Sequence, residues 1–404
     1  MRSLGVRGLL AAAALLLVPV VGTSFSSGPA AASARSEPVN VGLICSCSGP
    51  LGPAGVAAIP GFEAWVKYQN AHGGLNGHPI RVFYKNDASN PGTAAADVQA
   101  MISQNHIVML FDDSQVDSAF AKIIDQNHIP VTGGTSDSDE FLSDPNWFAQ
   151  GATVDSYFIA YMEAAKKVGA HVVGQLYCAE SSICQEGVPA FRAEANAFDL
   201  KVGIIASISA SAPNYTAECL AAKQNRVQLF NIADIEPVTV KVAQECTTQG
   251  YDPYYVAGGG AINRAFPTLT GLKNHFIGFE EDIPYFATSV PGVKTYLDAM
   301  KKYEPATLKS PNYAEPTIQN WIAGLLLAKA VQAVNAGKNG PITATDIYNG
   351  LYSFHGQDLG GMAPPLTYTK GQANPIHCWF WIKAQGNKFT TPYGLKPACG
   401  KPVG

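Results

Sequence analysis

Hydrophobic and polar positions follow two different periods in alternation along most of the chain. Val39–Ile44 is a short apolar run, Ser48–Gly55 is rich in glycine, and apolar residues then recur at intervals of three and four across Ile59–Val66. A glycine-rich turn precedes a second apolar run, Ile80–Tyr84. This order predicts a strand, a loop, an amphipathic helix and a strand parallel to the first. The first loop of such a unit lies at the edge of the sheet where small ligands bind.

The same alternation continues through two longer series. The first continues as helix Ala94–Gln104, strand Ile107–Phe111, helix Val116–Gln126, strand Ile129–Thr132 and the polar loop Gly133–Glu140. The second comprises helix Ser156–Val168, strand His171–Tyr177, helix Gly187–Phe198, strand Lys201–Ser207, helix Tyr215–Gln224, strand Val227–Ile232, helix Val238–Gln249 and strands Tyr254–Ala257 and Phe276–Phe279. A tail adds helices Val293–Tyr303, Thr317–Asn335 and Ala344–Tyr352 and strands near Leu366–Tyr368 and Ile376–Ile382. Because both series alternate strands with helices in the same way, the sequence predicts an α/β fold with two doubly wound lobes.

The first 34 residues have the pattern of a secretory signal. Arg2 and Arg7 precede an apolar run, Leu9–Val21, and Ala32–Ala34 supplies the small residues of a cleavage site. We therefore expect a signal peptide at residues 1–34 and a protein that is secreted or held in the periplasm or cell envelope. The apolar run is shorter than the roughly 20 residues of a membrane span, so a soluble mature protein is expected.

Charge and length limit the kind of partner and the number of domains. Removal of the signal leaves 25 basic and 31 acidic residues, a net charge of −6. This balance argues against nucleic acid or anionic lipid as a partner. The remaining chain is longer than a single hydrophobic core usually supports, which favours two domains.

All eight cysteines lie in the exported part of the chain, where an oxidising environment favours disulfides. Three local pairings are expected: Cys178 with Cys184, Cys219 with Cys246, and Cys378 with Cys399. Cys45 and Cys47 remain, and they can bond only if the end of the first strand curls. A metal site at these two residues is disfavoured, because no cluster of further cysteine or histidine ligands stands beside them.

Enzyme signatures are missing from the sequence. The glycines at 49, 52 and 55 fit neither a dinucleotide-binding loop nor a P-loop. No zinc-protease or serine-hydrolase motif occurs, and no cofactor or metal is expected. A secreted α/β enzyme that acts on a small molecule remains the alternative, because catalytic residues can be scattered along a chain.

Polar loops at predicted strand ends are the candidate binding residues. Gly134, Thr135 and Ser136 can offer backbone N–H and hydroxyl donors to an anion or carboxylate. Asp113 and Ser114 follow the preceding strand in the same way, and adjacent carboxylates at 112 and 113 are more often solvent-facing or helix-capping. In the second series Asp234 and Glu236 follow a strand at the analogous place. Trp147, Tyr157, Tyr285 and Tyr313 could line a cleft, although such aromatics usually belong to the core.

Six short segments together carry a family resemblance over about Val39–Lys388. They are Ser48–Leu51, Asn70–Ile80, Ile129–Thr132, Gln185–Gly187, Pro213–Tyr215 and Gln249–Pro253. In these segments the chain resembles the type I periplasmic binding proteins, in the branch that binds leucine, isoleucine and valine for ABC importers. The resemblance implies two lobes joined by a three-strand hinge, with the ligand held between them.

The resemblance also implies where the lobes begin and end. We expect residues 35–151 and 282–368 in lobe 1 and residues 152–281 and 369–404 in lobe 2. The crossovers are expected near Gln150–Thr153, Phe279–Asp282 and Leu366–Gly371, where the two series break and the tail returns. Hinges of a few loop residues allow such lobes to close on a ligand.

By position in the family, the ligand contacts fall in both lobes. In lobe 1 they are Asp113, Ser114, Gly134, Thr135 and Ser136. In lobe 2 they lie near Cys184, at Asp234 and Ile235, and near Gly259.

The sequence departs from the family at one of these positions. Amino-acid binders place a carboxylate after the strand that ends at Ala257, to meet the ligand ammonium, whereas this chain has Gly258–Gly260. An unpaired buried charge is costly. Another acid must therefore replace the carboxylate, or the ligand lacks an ammonium; the sequence leaves open whether Asp113 or Asp234 faces the cleft.

The resemblance predicts the solute-binding component of an ABC importer, with a membrane permease and an ATPase as partners. The expected ligand is a small, largely apolar molecule with a carboxylate or amide, such as a branched-chain amino acid. We expect a monomer that binds no nucleic acid and is not an enzyme.

Overall fold

The computed structural model describes residues 36–49, 52–180, 182–310 and 313–403. The predicted signal peptide, residues 1–34, lies outside the described residues. The first series of elements comprises β1 (Val39–Cys45), α1 (Gly52–Ala71), β2 (Ile80–Asn86), α2 (Pro91–Ser103), β3 (Leu110–Asp113), α3 (Ala121–Asn127), β4 (Val131–Thr132) and α4 (Asp139–Ser143).

The second series and the tail follow in the predicted order. The second series comprises α5 (Val154–Val168), β5 (Val172–Cys178), α6 (Ser182–Ala197), β6 (Lys201–Ile208), α7 (Thr216–Gln224), β7 (Leu229–Ala233), α8 (Glu236–Thr248), β8 (Tyr254–Gly258) and β9 (Phe276–Glu280). The tail comprises α9 (Pro291–Tyr303), α10 (Glu315–Ala333), α11 (Ala344–Leu351), β10 (His355–Gln357), β11 (Leu366–Thr367), β12 (Cys378–Gln385), β13 (Lys388–Thr390) and β14 (Ala398–Cys399).

The strands form two main sheets with the same internal order. The first sheet is parallel, with the order β2-β1-β3-β4. The second has the order β13-β12-β9-β8-β7-β5-β6. In it the five strands β5, β6, β7, β8 and β9 are parallel to one another, and β12 is antiparallel to β9. In both sheets the first strand lies between the second and the third, so each sheet has a topological switch point at the carboxyl ends of its strands. The predicted fold of two doubly wound lobes is confirmed.

The hydrophobic cores follow the two sheets. One cluster of buried side chains joins the first series to the tail helices and includes Trp65, Phe111 and Trp321. Two further clusters cover the two faces of the second sheet, around Phe230 and Phe279. The tail therefore completes the first lobe and adds β12 to the second sheet.

Close helix packing explains how the tail returns to the first sheet. Gly61 of α1 lies against the backbone of Thr317 in α10, and Gly324 of α10 lies against the ring of Trp65, with no room for a side chain at either glycine. Thr317 Oγ1 also donates a hydrogen bond to the carbonyl oxygen of Ala57 at 2.7 Å. These contacts fix α10, and therefore its first residues, relative to the strand ends of the first lobe.

Several predicted boundaries are corrected by the structure. Helix α2 begins at Pro91 rather than at residue 94, because Asn90 caps it by accepting the N–H of Thr93 at 2.9 Å and proline is favoured at the first helical position. The predicted helix 116–126 is broken at Phe120 into a short 3-10 turn, Asp117–Ala119, and α3. The predicted loop 48–55 ends early, since α1 begins at Gly52.

All eight cysteines are paired. The three expected disulfides, Cys178–Cys184, Cys219–Cys246 and Cys378–Cys399, are present. Cys45 and Cys47 also form a disulfide, with their Cα atoms 5.2 Å apart, because the chain curls directly after β1. The disulfides Cys45–Cys47 and Cys178–Cys184 hold the first loop after β1 and the first loop after β5, the equivalent positions of the two lobes.

Candidate functional site

The carboxyl ends of the two sheets face one another. The loop after β4 carries Thr135, and the loop after β8 carries Gly260. A Cβ atom at Gly260 would lie 3.3 Å from Cγ2 of Thr135 and 3.6 Å from Cγ of Pro316, at the start of α10. Loops from both lobes therefore close over one cleft, at the edge where doubly wound sheets place their ligands.

Two further contacts hold the cleft closed. Asn263, shortly after β8, forms an isolated antiparallel bridge with Ala314, just before α10. Arg264 Nη1 donates to the carbonyl oxygen of Leu308 at 2.7 Å. Each contact joins the second lobe to the tail segment that packs on the first, so the lobes are in contact over the cleft.

A cavity of about 20 Å³ lies on the first lobe's side of the cleft. Four of the predicted residues line it, Asp113, Ser114, Gly134 and Thr135, together with other acids that include Asp137. A cavity of this size holds about one water molecule. A solute the size of an amino acid can therefore enter only when the lobes part.

Asp113 and its neighbour Asp112 are buried rather than solvent-facing, which corrects the expectation for this pair. Asp113 Oδ2 accepts a hydrogen bond from Asn320 Nδ2 of α10 at 2.6 Å. Asp112 Oδ1 accepts the N–H of Ser114 at 2.9 Å, and its Oδ2 is buried without a partner among the described residues. Asp113 does not cap a helix; it lines the cleft and is held by a side chain from the tail.

Two of the backbone donors expected to meet a ligand carboxylate are used within the protein. The N–H of Ser114 binds Asp112, and the N–H of Gly134 binds Asn320 Oδ1 at 3.3 Å. The carbonyl oxygen of Gly134 accepts from Gln150 Nε2 at 2.8 Å. Ser136 differs, because its hydroxyl is fully buried and has no hydrogen-bond partner in the described part of the chain.

In the second lobe, Asp234 and Ile235 lie at the end of β7. Asp234 Oδ1 accepts the N–H of Ile235 at 2.7 Å, while its Oδ2 is buried and has no partner among the described side chains and backbone. Burial raises the pKa of Asp234 to about 7, and the nearby Glu180 adds to the effect. Asp234 thus interacts with Glu180, a residue of its own lobe. The loop at Gly259 and Gly260 also belongs to lobe 2, and it reaches Thr135 of lobe 1.

Gly259 has a left-handed backbone, with φ of 56°. A Cβ atom there would lie 2.5 Å from Oε1 of Glu281 and 2.7 Å from the phenol oxygen of Tyr157. The phenol of Tyr157 donates a hydrogen bond to Glu281 Oε1. Glu281 directly follows β9, so its carboxylate stands at the same edge of the second sheet as Gly259.

Sequence reasoning missed several acids of the cleft: Asp117, Asp137, Glu281 and Glu315. Asp137 lies in the loop that the sequence singled out, but only the donors of that loop were considered. Glu281 follows a strand in the same way as Asp113, and this signal could have identified it. Glu315 carried no such signal, because only the return of α10 to the cleft places it there.

Burial shifts the titration of these acids. It raises the pKa values of Asp113, Asp117 and Glu281 well above those of ordinary carboxyls. It raises the pKa of Asp137 to about 6 and that of Glu315 to about 8. Among the described residues, no ion pair involves any of these five acids. The cleft therefore carries several acids that form no ion pair with a described cation.

A second, larger cavity of about 410 Å³ lies elsewhere in the first lobe. It is bordered by α1 and α10 and by the segment at Gln357–Gly360, with Lys329 at its wall. The carboxyl ends of the strands do not contribute to it. The cleft is therefore the better candidate for a site shared by both lobes.

The described residues contain neither a metal-binding group nor a membrane-spanning helix. No set of three or more histidine, cysteine, aspartate or glutamate side chains is arranged to hold a metal ion. Likewise, none of the described helices combines the length and apolar character needed to cross a bilayer.

Several solved structures share this fold. A branched-chain amino acid ABC transporter protein from Thermus thermophilus with bound valine has a TM-score of 0.77 and 15% identity, covering 91% of this chain and 97% of that one. A solute-binding protein from R. palustris in complex with benzoate has a TM-score of 0.71 and 16% identity, covering 91% and 99%. A fatty acid ABC transporter substrate-binding protein from Thermomonospora curvata has a TM-score of 0.71 and 15% identity, covering 91% and 92%. At these identities the likeness establishes the fold.

The fold and the cleft define a two-lobed binding protein. Residues 38–388 match the periplasmic binding protein family, and the chain belongs to that family. A search of the curated proteins found none that matches the sequence. The family consists of extracytoplasmic solute-binding proteins of ABC transporters and not of enzymes. The predicted family is confirmed, and the alternative of a secreted α/β enzyme loses its support.

Proposed function

We propose that this protein is the exported solute receptor of an ABC importer, which captures a small molecule between its lobes and delivers it to a membrane permease driven by an ATPase. The main support for this function is the cleft itself. Loops from the carboxyl ends of both sheets meet there, at Gly260 and Thr135, over a cavity lined by predicted residues. The family match over residues 38–388 supports the same function.

The proposed binding residues come from both lobes. They are Asp113, Ser114, Gly134, Thr135 and Ser136 of lobe 1 and Asp234, Ile235 and Gly259 of lobe 2. The first five lie at the ends of β3 and β4, and Asp113, Ser114, Gly134 and Thr135 line the cavity. Gly259 lies beside Gly260, which faces Thr135.

We further propose that the lobes have the boundaries expected from the sequence, 35–151 with 282–368 and 152–281 with 369–404. Neighbouring segments at the junction support this division. Ala152 N–H donates to the carbonyl oxygen of Glu281 at 3.3 Å, and Thr153 N–H donates to that of Ile376 at 2.9 Å. Three chain segments thus run side by side where the lobes join. Ile376 lies beyond the proposed third crossover, Leu366–Gly371.

The class of ligand is proposed from the cleft and from the ligands named for structurally similar proteins. The structural neighbours named above bind valine or benzoate or serve fatty acid transport, so the fold accommodates apolar molecules with different polar heads. We propose a small, largely apolar ligand. The protein acts as an exported monomer without a nucleic acid partner, in keeping with the signal pattern and the acidic net charge.

A screen of small solutes by thermal shift tests this function. A solute at 100 times its Kd stabilises the folded protein by about 2.7 kcal/mol, so a ligand is readily detected. Amino acids, amides and aromatic or aliphatic acids are added to the mature protein, and each hit is recovered and analysed by mass spectrometry. We expect saturable binding, an unchanged ligand and a smaller radius of gyration by small-angle scattering. Chemical conversion of the ligand, or a panel without a single hit, would contradict the proposal.

A further inference from the structure

Two buried amide side chains hold the loop after β4. Gln150 Nε2 donates to the carbonyl oxygen of Gly134 at 2.8 Å, and Gln150 Oε1 accepts the N–H of Gly133 at 3.3 Å. Asn320 Oδ1 accepts the N–H of Gly134 at 3.3 Å. Both polar backbone groups of Gly134 are therefore bound by side chains from outside the loop.

The same two amides reach the residues next to the loop. Asn320 Nδ2 donates to Asp113 Oδ2 at 2.6 Å, and Gln150 Oε1 also accepts from Thr132 Oγ1 at 3.3 Å. Asp113 ends β3, and β3 pairs with β4 directly before the loop. Asn320 and Gln150 together therefore join two neighbouring strand ends of the first sheet.

Neither amide contacts the cavity of the cleft. The side chains of Gln150 and Asn320 are fully buried and do not line it, whereas Asp113, Gly133 and Gly134 do. A solute in the cleft meets the loop and not the two side chains behind it. Gln150 and Asn320 are therefore placed to position other residues rather than to bind the solute.

The backbone of the loop depends on such support. Positive φ at two consecutive glycines, 113° at Gly133 and 58° at Gly134, turns the chain directly after β4. Glycine loses more conformational freedom on folding than any other residue. A loop that becomes ordered only on binding weakens the affinity, whereas a loop that is ordered beforehand does not. Contacts that hold this loop in the ligand-free protein therefore favour solute binding.

Gln150 also connects the loop to the junction between the lobes, because it is the first residue of the proposed crossover Gln150–Thr153. The N–H of Val154, at the start of α5, donates to the carbonyl oxygen of Ser136 at 3.2 Å. The loop is thus bound at its beginning by a crossover residue and at its end by the first residue of a helix that packs on the second sheet. A rotation of the lobes at this crossover moves the contacts at both ends of the loop.

We propose that Gln150 and Asn320 are positioning residues of the solute site, whose amides hold Asp113 and the loop 133–136 in the shape that receives the solute. This inference rests on the proposed function, in which the cleft binds the solute. Side chains that hold binding residues in place are expected to raise affinity without touching the ligand.

Variants of similar shape separate the donor from the acceptor of each amide. Gln150→Glu and Asn320→Asp keep the acceptor oxygen and lose the N–H donor, and a proton on the new carboxyl restores a donor. Gln150→Met and Asn320→Leu remove donor and acceptor alike at every pH. The carboxyl variants should therefore recover as the pH falls from 9 to 5, and the apolar variants should not.

Each carboxyl variant has a matched control in the first lobe. Gln69 Nε2 donates to the carbonyl oxygen of Gly74 at 2.7 Å, at the wall of the second cavity, so Gln69→Glu loses the same kind of hydrogen bond away from the cleft. Asn146 Nδ2 donates to Asp125 Oδ1 at 2.8 Å, so Asn146→Asp brings two carboxyls together as Asn320→Asp does.

Amide hydrogen exchange of the ligand-free proteins, with residue-level mass spectrometry, measures the loop directly. In the wild type we expect the N–H groups of Gly133 and Gly134 to exchange more slowly than that of the exposed Gly340. At pH 9 exchange at these two residues should be roughly tenfold faster in the four variants than in the wild type, the size expected for the loss of one hydrogen bond. At pH 5 the two carboxyl variants should approach the wild type.

Calorimetry with leucine, 4-methylpentanamide and benzoate measures binding at pH 5, 7 and 9. Each variant is compared with the wild type at the same pH, so that the titration of the probe and of the cleft acids affects both proteins. We expect roughly tenfold weaker binding in the carboxyl variants at pH 9, with recovery at pH 5, and weaker binding in the apolar variants at every pH. Gln69→Glu and Asn146→Asp should bind as the wild type does throughout.

Two results would overturn this inference and leave the proposed function intact. One is unchanged affinity in the variants at pH 9, even where their stability is lower, since that outcome belongs to a merely structural role. The other is exchange at Gly133 and Gly134 of the wild type as fast as at Gly340, which decides the matter even if the variants do not fold. No binding of the three probes by the wild type, together with an empty solute screen, would reject both proposals.

Discussion

Glu315→Gln should reduce the loss of stability that the ligand-free protein suffers as the pH rises. Glu315 is fully buried at the start of α10, and its Oε1 accepts the N–H of Glu281 at 2.6 Å. Burial raises its pKa from 4.5 to about 8, although hydrogen bonds from the backbone of Glu281 and Asp282 oppose the shift. Glutamine keeps the shape and an acceptor oxygen but cannot ionise.

The sign and size of the effect follow from the raised pKa. Below pH 4.5 the group is protonated in the folded and unfolded states alike. Between pH 4.5 and about 8 the unfolded state ionises first, so the folded state binds the additional proton and the free energy of unfolding falls with rising pH. One pKa unit corresponds to about 1.4 kcal/mol, so this group alone accounts for up to about 5 kcal/mol across the window.

Urea denaturation at pH 4.5, 6 and 8, followed by tryptophan fluorescence, measures the effect. We expect the free energy of unfolding of the wild type to fall across this range and that of Glu315→Gln to fall less. The variant should be the more stable protein at pH 8. Asp298→Asn is the control, because it removes a negative charge from an exposed side chain. An equal pH slope in Glu315→Gln and the wild type would refute the reasoning.

Three further outcomes are expected from contacts elsewhere in the structure. Replacing Cys219 and Cys246 together by alanine should lower the free energy of unfolding by about 3 kcal/mol in urea denaturation, since the bond closes a loop with a sequence separation of 27. Gly61→Ala should destabilise the protein by about 1–3 kcal/mol in the same assay, because its Cβ would overlap the backbone of α10. Arg264→Ala should weaken ligand binding in calorimetry by about 1 kcal/mol, because the lost hydrogen bond joins the two lobes. Unchanged values would contradict each argument.

The order of the helices and strands could be predicted because their hydrophobic periods are local. A parallel strand between two helices gives a short apolar run, and the helices give spacings of three and four. The predicted ends of the helices and strands were less accurate, because each end depends on individual contacts. Helix α2 begins three residues earlier than predicted because Asn90 and Pro91 form its cap.

The acids of the cleft could be predicted only in part. Asp113 comes two residues after the predicted strand Ile107–Phe111, and its place at a strand end identified it. The proximity of Glu281 to Gly259 depends on the pairing of β8 with β9, in which Gly258 is opposite Phe279. Such a register joins residues that are distant in sequence, and a local pattern does not encode it.

The donors of the first lobe show a second limit of sequence reasoning. The glycine and hydroxyl residues after β4 predicted free N–H groups for an anion. In the structure, Asn320 of the tail binds Gly134, and Asp112 binds Ser114. Whether a donor is free depends on residues brought from elsewhere in the chain, and α10 returns almost 190 residues after Gly134.

The protein is proposed to bind a solute, unchanged, between its two lobes. Gly260→Leu tests it most directly, because the new side chain would project onto Thr135 and Pro316 and hold the cleft open. Gly340→Leu is the matched control, since nothing lies within 4 Å of a Cβ atom at that position. In calorimetry with a solute found by the screen, we predict that the wild type and Gly340→Leu bind it with equal affinity, that Gly260→Leu does not bind it, and that the solute is recovered intact. Binding by Gly260→Leu as tight as that of the wild type would contradict the binding of the solute in the cleft.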